Sequence, residues 1–406
     1  MAKARVPRTA AAALGAPDVG SGRSGNSYGV YFNPLPMRIY RFLSEETVPY
    51  LRARNKKPLH RQIREMMALY REYGVLPYHY VTYELYRNSH ANDVLEYLPD
   101  DMLIVFCASL NPGEGIEAAR DKVKFSQKMR KAGLAAIEVL FTVRSDGTIR
   151  RPDGSQIAFP EFVRVLEAQC QDAFLKQRHG LGGFGAVKLP ARDIAAMGPE
   201  KLRQRLFEAR GVKPGAEFLV QPAIVQHPVL ASITDQSVNT ARIDTYVEGD
   251  QVYFNTAYLR VGSNAACTDN LSRGGLAIKI DIQSGKLVGN GRRCADFGKG
   301  EYTSHPDTGV RFDGTQLPYW QEVKSLVRSA AQNMLPLRSI GWDVSITPEG
   351  PVLVEANHDY DLYASQYLGG GYRNLPLGRA LLQKVQLADR SADLSYMKTG
   401  TASDRI

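Results

Sequence analysis

Near the C-terminal end of the chain, Gly341-Trp342-Asp343-Val344 and Val354-Glu355-Ala356-Asn357 flank the turn Pro348-Glu349-Gly350-Pro351. Residues two apart on a strand point to one face, so Glu355 and Asn357 project together. Asp343 can lie opposite them if the two segments pair as a hairpin. Two carboxylates and an amide oxygen converging on one face make a hard, oxygen-only site, suited to magnesium that carries nucleotide phosphates. Acidic residues at strand ends are often merely solvated, and that reading fits Glu349 in the turn. It fits Glu355 poorly, because Glu355 interrupts the apolar run Val352-Leu353-Val354.

Holding these side chains requires two last strands, Ile340–Thr347 and Val352–Glu355, preceded by a helix near Tyr319–Leu335. Upstream, alternation predicts strands at Ala241–Val247, Val252–Arg260 and Leu276–Asp281, the first two joined by Glu248-Gly249-Asp250. Further strands are expected at Ile137–Val143, with a turn at Ser145-Asp146-Gly147 and a return near Thr148–Arg150. Phe174–Lys176 and Ala186–Leu189 flank the loop His179–Gly185, and another strand, Glu217–Gln221, ends at Pro222. Asp121–Ala132 reads as an amphipathic helix stopped by Gly133. Before it, Ile39, Phe42 and Leu43 are spaced for one helix and Ile63, Met66, Met67 and Tyr70 for another. The tyrosines of this region (Tyr70, Tyr73, Tyr78, Tyr80, Tyr83, Tyr86) are read chiefly as rings packing helices together, with a groove lining as the alternative. A helix near Leu377–Leu387 closes the pattern. Helices with mostly antiparallel strands in this order define an α+β protein.

The 406 residues suit two or three lobes in one body. The divisions expected are an unstructured arm over 1–34, a helical segment over 35–115, a small lobe over 116–225, a large lobe over 226–388, and a polar tail over 389–406. The arm is rich in Ala, Gly and Ser and has too few large apolar groups to offset ordering entropy. The net charge of +9 comes from dispersed Lys and Arg, which steering of anionic nucleotides and carboxylates explains as well as nucleic acid would. No nucleic-acid partner is therefore expected. Cys107, Cys170, Cys267 and Cys294 form no C-x-x-C pair, as expected of reduced thiols. The longest apolar run, Met102 to Leu110, is too short to span a bilayer. The basic start (Lys3, Arg5, Arg8) leads into no apolar signal core, and the reading is a cytoplasmic protein without a membrane segment.

The D…E-x-N arrangement resembles the signature of the ATP-grasp superfamily, in which an Asp on one strand and E-x-N on the next coordinate the magnesium ions bridging the ATP phosphates. Lys176 and the loop His179-Gly180-Leu181-Gly182-Gly183-Phe184-Gly185 resemble that superfamily's lysine and flexible phosphate loop; glycine lets backbone amides approach phosphate oxygens. Glu217-Phe218-Leu219-Val220-Gln221-Pro222-Ala223-Ile224 looks like the hinge strand whose backbone reads the adenine edge. Gln226-His227-Pro228, Ser237-Val238-Asn239-Thr240-Ala241-Arg242, Asp269-Asn270-Leu271-Ser272-Arg273-Gly274-Gly275 and Gly341-Trp342-Asp343-Val344 are similar to the sugar-transfer-associated ATP-grasp group. The resemblance runs from about Asp121 to Gly378.

It implies an ATP-grasp fold, two α+β lobes clasping ATP after a helical N-terminal segment. It also implies ATP with two magnesium ions on Asp343, Glu355 and Asn357. Lys176 would pair with the α- and β-phosphates, Gly182 and Gly183 would cover them, and Gln221, Ala223 and Ile224 would meet the adenine. Arg242 and Arg260 would contact the γ-phosphate, since a planar fork meets two oxygens at once. Asn270 and Arg273 are similar to the N-x-x-R-G-G element of glutamate ligases that modify ribosomal proteins. Asn239 would orient a substrate or a phosphate, and His227 is either a ribose contact or a loop histidine. One departure stands out: many such ligases carry an arginine two residues before the magnesium-binding Asp, and here that position is Gly341. Arg260 or Arg273 would have to serve instead. The implied chemistry activates a small-molecule carboxylate as an acyl phosphate and joins it to an amine. A phosphotransferase acting on a hydroxyl and a binding module without turnover are the competing readings. The sequence leaves the oligomeric state open, with a homodimer among the options.

Overall fold

A computed structural model describes residues 47–391 except 75, 91–92, 100–109, 181–184, 210–211, 213–214, 264–268, 272–273, 294–299 and 361, with backbone alone over 384–391. The expected helix at Ile39–Leu43, most of the apolar run after Met102, and Cys107, Cys267 and Cys294 lie outside the described residues, as do Gly182, Gly183 and Arg273.

The chain enters through helices α1 (Val48–Arg52), α2 (Leu59–Tyr73) and α3 (His79–Thr82). α2 forms where expected, but a different face is buried. Gln62, Leu69 and Tyr73 point inward, whereas Ile63, Met67 and Tyr70 are exposed. The inward face is set by Tyr50 and Lys57: the Tyr50 hydroxyl donates to Gln62 Oε1 at 2.8 Å, and Gln62 Nε2 donates to the Lys57 carbonyl at 2.6 Å. Tyr73, Tyr80, Tyr83, Tyr86 and Tyr97 are buried together with Leu69 and Leu98, and Tyr246, Tyr360 and Tyr372 from farther along the chain join the cluster. The tyrosines thus pack helices, and they also fasten this segment to the large sheet.

Helices α4 (Gly113–Arg120) and α5 (Lys122–Lys131) follow. Asp121 caps α5 by accepting from the N–H groups of Val123 at 2.9 Å and Lys124 at 3.3 Å, satisfying donors that a helix start leaves open. Gly133, at φ +74°, ends the run as expected. The small lobe contains strands β1 (Phe141–Arg144), β2 (Ile149–Arg150) and β3 (Gln156–Ile157), helix α6 (Phe159–Gln169), strands β4 (Asp172–Gln177) and β5 (Val187–Pro190), helix α7 (Ala191–Phe207) and strand β6 (Glu217–Pro222). Its six-stranded sheet runs β3-β2-β1-β6-β4-β5, with every described pairing antiparallel. β1 begins four residues later than the sequence suggested, because Ile137 donates instead to the Leu353 carbonyl at 3.0 Å. The two helices cover the sheet around Phe141, Phe162, Leu175, Leu202 and Phe218.

The large lobe opens with α8 (Pro228–Ile233), followed by strands β7 (Thr240–Glu248), β8 (Gln251–Val261), β9 (Leu276–Ile280), β10 (Leu287–Arg293) and β11 (Glu301–Tyr302). Helix α9 (Trp320–Asn333), strands β12 (Ser339–Thr347) and β13 (Gly350–Asn357), and helices α10 (Tyr363–Gly369) and α11 (Pro376–Ser391) complete it. The seven strands are ordered β11-β10-β9-β8-β7-β12-β13 and are again antiparallel. Period-two alternation divides β7 cleanly. Ala241 and Ile243 join Trp342, Val344 and the apolar residues of α9 in the largest core, leaving Thr240, Arg242 and Asp244 on the other face.

Gly285, at φ +77°, lies against Trp320, whose indole N–H donates to the Ile282 carbonyl at 2.8 Å. A Cβ there would stand 2.3 Å from the ring. Gly285→Ala should destabilise the fold by about 2–4 kcal/mol, combining the left-handed penalty with overpacking. A shift of the urea midpoint to lower concentration at unchanged slope would show it; an unchanged midpoint would refute the close approach.

Candidate active site

The hairpin β12–β13 is not regular. From Thr347↔Gly350 to Val344↔Leu353 the strands pair in one register, and beyond a bulge they pair as Asp343↔Glu355, Trp342↔Ala356 and Gly341↔Asn357. The extra residue is Val354. In the uninterrupted register Asp343 would face Val354, and Glu355 would turn to the Trp342 side, into the core. One inserted residue reverses the facing of everything beyond it. The bulge therefore sets Glu355 beside Asp343 and Asn357 beside Gly341, on the face that β7 lines with Arg242 and Asp244.

On that face Asp343 is nearly inaccessible and is gripped by two guanidinium groups. Arg242 Nε lies 2.6 Å from Oδ1 and Arg260 Nη2 lies 3.0 Å from Oδ2. Both arginines come from strand positions fixed by register: Arg242 pairs with Asp343 across β7–β12, and Arg260 pairs with Thr240 across β7–β8. Burial alone would raise the Asp343 carboxyl, but Arg242 and Arg260 overcome it and hold it well below the usual carboxylate range. Asn357 Nδ2 donates to the Gly341 carbonyl at 3.2 Å. Gly341 has a packing reason of its own: a Cβ there would lie 2.9 Å from the Tyr360 ring.

Two lysines bring further cations to the same place, one from the small lobe and one from α5, whose Phe125 and Met129 pack in the core of the large sheet. Lys176, on β4, has its ammonium pushed down to about 8 by burial, with Glu355 pulling it up and Lys122 pushing it down. Lys122, the first residue of α5, lies 3.6 Å from Glu355 and donates to the Gly180 carbonyl at 2.8 Å, at the edge of the glycine loop. Its position follows from Asp121, which caps α5 and also accepts from Arg178 Nε at 2.9 Å and from Arg178 Nη2 at 2.5 Å. Arg178 in turn reaches Glu217 of β6 at 2.6 Å.

Several site residues were not legible in advance. Lys122 is one; the usable signal was the capping aspartate directly before it. Asp269 is another. It is buried, accepts from the Thr240 N–H at 3.0 Å and from the Thr240 hydroxyl, and lies 3.5 Å from Arg260 Nε. Arg260 donates to that hydroxyl at 2.7 Å through Nη2 and 3.1 Å through Nε. A chain Asp269–Thr240–Arg260–Asp343–Arg242 thus ties the start of the Asn270–Gly275 segment to the central carboxylate. Asp244, two residues past Arg242 and on the same face, is buried under α10. Burial pushes its carboxyl up to about 6 against the pull of Arg242, and Ser365 and Tyr372 donate to it.

Other expected residues are placed differently. The amide of Asn239 is fully buried, with Nδ2 donating to the carbonyls of Leu230 at 2.9 Å and Thr234 at 3.1 Å. It closes the end of α8 and does not face the cleft, so the expected ligand role is corrected to a structural one. His227 caps the start of α8, with Nδ1 accepting from Val229 at 3.2 Å and the ring edge-on to Tyr319 at 5.8 Å. That is the loop-histidine alternative. Gln221 is buried in β6 opposite Phe174, and the Ala223 N–H donates to the Asp172 carbonyl at 2.8 Å, leaving its carbonyl and the following Ile224 at the strand end. Asn270 is half-buried, its carbonyl accepting from Gly275 at 3.2 Å.

Glu117, Asp121 and His179 also cluster closely enough to suggest a cation site. Asp121 is already held by Arg178 and by two helix N–H groups, so an ion-pair network accounts for the group. Asp343, Glu355 and Asn357 offer the oxygen donors that magnesium takes, two carboxylates side by side with an amide next to them.

The chain belongs to the sugar-transfer associated ATP-grasp family, whose model matches residues 102–374. No curated protein matches it. Among solved structures it is similar to ATP-grasp ligase PsnB complexed with a phosphomimetic variant of minimal precursor, Mg and ADP, at 17% identity over 68% of this chain and 61% of that one, with a TM-score of 0.38. The chain thus spans about three-fifths of that protein. It is also similar to D-cycloserine synthetase DcsG, at 11% identity over 70% of this chain and 79% of that one, TM-score 0.39. A third similarity is to D-alanyl-alanine synthetase A from Vibrio cholerae O1 biovar eltor, at 11% identity over 68% and 66%, TM-score 0.40. Among the described residues no helix is long and apolar enough to cross a membrane.

Asn239→Ala leaves two buried carbonyls without their donor and should cost about 1–3 kcal/mol of stability. Nucleotide affinity measured by calorimetry at a temperature where the variant is folded should stay within about twofold of the parent, well under the tenfold that 1.4 kcal/mol represents. A large selective loss of affinity would restore Asn239 to the binding site.

Proposed function

We propose that the chain is an ADP-forming ligase that activates a small-molecule carboxylate with ATP and joins it to an amine. The observation that carries this reading is the Asp343–Glu355 pair set by the hairpin bulge and ringed by Arg242, Arg260, Lys122 and Lys176. Four cations converging on a carboxylate pair suit a polyphosphate whose metal binds the carboxylates.

Asp343, Glu355 and Asn357 would hold magnesium, which when bound would neutralise charge on the transferring phosphoryl group. Lys176, from β4, and Lys122, from the start of α5, would orient the α- and β-phosphates. Arg242 and Arg260 would meet the γ-phosphate from the sheet face, each kept in place by a carboxylate beside it. A substrate carboxylate oxygen would attack the γ-phosphorus with ADP leaving. The amine would then attack the acyl carbon, phosphate would leave with the C–O electron pair, and the amine would lose its proton. The protein contributes positioning and electrostatics and needs no side-chain nucleophile. Asn270 and Arg273 are assigned to the acceptor side. Gly341 leaves the catalytic arginine role to Arg260, which reaches Asp343 across β7 from the second strand over.

A hydroxylamine trap tests the reaction class. With Mg-ATP and pooled carboxylates, the protein should form hydroxamate and ADP together, and Glu355→Ala should abolish both while the circular dichroism stays unchanged. ADP that depends on a hydroxyl compound, without hydroxamate from any pool, would make the protein a phosphotransferase. Turnover of Glu355→Ala near the parent rate would remove the metal assignment.

The lysine adds a pH test. Lys176 is charged below about 8 and neutral above it. Mg-ATP affinity should therefore be flat below that point and weaken above it by up to about tenfold per pH unit. Lys176→Arg should flatten the profile because guanidinium stays protonated. Calorimetric affinities of the parent that do not change between about pH 7 and about pH 9 would exclude Lys176 as the phosphate partner.

A further inference from the structure

α2 carries more apolar surface than its core contact uses. On a helical wheel Gln62, Leu69 and Tyr73 face inward, and next to them runs a second stripe, Leu59, Ile63, Met67 and Tyr70. These four are 66%, 50%, 47% and 45% exposed, so among the described residues nothing covers the stripe along its length. The apolar arc of the helix continues past the edge of the core. At its outer border the next arc holds His60, Arg64 and Arg71, all exposed. Neither arginine has an ion pair among the described residues. The helix's two acidic residues are engaged elsewhere: Glu65 with Lys57, Arg61 and Tyr80, and Glu72 with Arg373. A partner lying along the helix would meet an apolar strip and an uncompensated basic band side by side.

We propose that this side of α2 docks on an anionic lipid surface, holding the enzyme peripherally with its apolar stripe at the headgroup boundary. The charge pattern decides between occupants. A second copy of this chain would bring the same basic band against its own kind, with no acidic counterpart on either side. A partner protein would need more area than the stripe supplies. The strip spans about 17 Å of helix and presents on the order of a few hundred Å², against roughly 800 Å² per partner in a stable protein complex. A lipid interface asks for less. A shallow apolar insertion and attraction of Arg to anionic headgroups act together there, and long Arg stems and a tyrosine ring suit that depth. The proposal is independent of the ligase reading, since α2 carries none of the site residues.

The test is sedimentation of the full chain with vesicles of neutral phosphatidylcholine and with vesicles containing a third phosphatidylglycerol. The chain should pellet with the anionic vesicles and stay in solution with the neutral ones. Ile63→Glu with Met67→Glu should abolish pelleting, and Arg64→Ser with Arg71→Ser should weaken it by about tenfold or more and reduce its sensitivity to salt. All four positions are solvent-exposed; circular dichroism and Mg-ATP affinity matching the parent would show that the variants fold. Absence of pelleting with anionic vesicles overturns the proposal, as does pelleting that these substitutions leave intact. A dimer in sedimentation velocity that Ile63→Glu dissociates would assign the stripe to a second copy and overturn it as well.

Discussion

Everything that could do chemistry in this molecule depends on which way Glu355 faces, and one residue decides it. Val354 has no partner across the hairpin, so the two strands change register between the turn and the carboxylates. Because side chains alternate with a period of two, that change is all-or-none. Glu355 stands either beside Asp343 or against the apolar residues around Trp342. Trp342 itself is fully buried, its indole N–H donating to Thr245 at 2.8 Å, and that anchorage fixes the facing of β12. β13 must then accommodate the bulge. A second bulge at Asn255 does related work on β8: Thr256, Tyr258 and Arg260 face the cleft, while Tyr253 turns to stack beside Tyr246. The reactive face and the tyrosine cluster therefore occupy one side of the sheet, although the strand parity differs between them.

The arrangement places charges where water is scarce. A lone buried carboxylate would take up a proton rather than stay ionised. Asp343 avoids this because two arginines reach it, Arg242 from the adjacent strand and Arg260 from the one beyond, and Arg260 is itself steadied by Thr240 and Asp269. Asp244, one row along, has only the more distant Arg242 as a cation and is correspondingly drawn upward. Two aspartates on one sheet face, separated by a single cross-strand row, are thus set to different protonation behaviour by what lies beside them. Charges arranged before any ligand arrives need little rearrangement when phosphates enter.

Much of this was legible in the chain. An acid interrupting Val-Leu-Val on a strand pointed to Glu355, and the i, i+2 spacing added Asn357. Most of the strands that were expected lie within a residue or two of their place, among them β7, which alternates, and β6, a short apolar run buried on both faces. The misses share a physical cause, which is that pairing between distant segments leaves no local mark. Val354 is an ordinary strand residue, so nothing in its type announces a bulge. β10 is broken by Gly289 and Gly291 and did not read as a strand, and α7 is kinked at Gly198-Pro199, where Gly198 adopts φ +73°. Asn239 looked available because its type suits ligands, but the carbonyls of α8 had prior use for it. On α2 the apolar arc is wider than the buried one, and periodicity alone does not say which half the body will cover.

Arg178 has a mechanical meaning beyond its ion pairs. It lies two residues after Lys176, just past the end of β4, and its guanidinium bridges Asp121, at the head of α5, to Glu217 on β6, while its backbone N–H donates to the Glu217 carbonyl. α5 itself seats Phe125 and Met129 in the core of the large sheet, while its Val123 meets Leu219 of β6. Arg178 is thus a rivet at the seam of the two sheets: it joins the end of the strand that carries Lys176 to the helix that carries Lys122. The spacing between the two ammonium groups is set there, by a residue that need not touch the ligand.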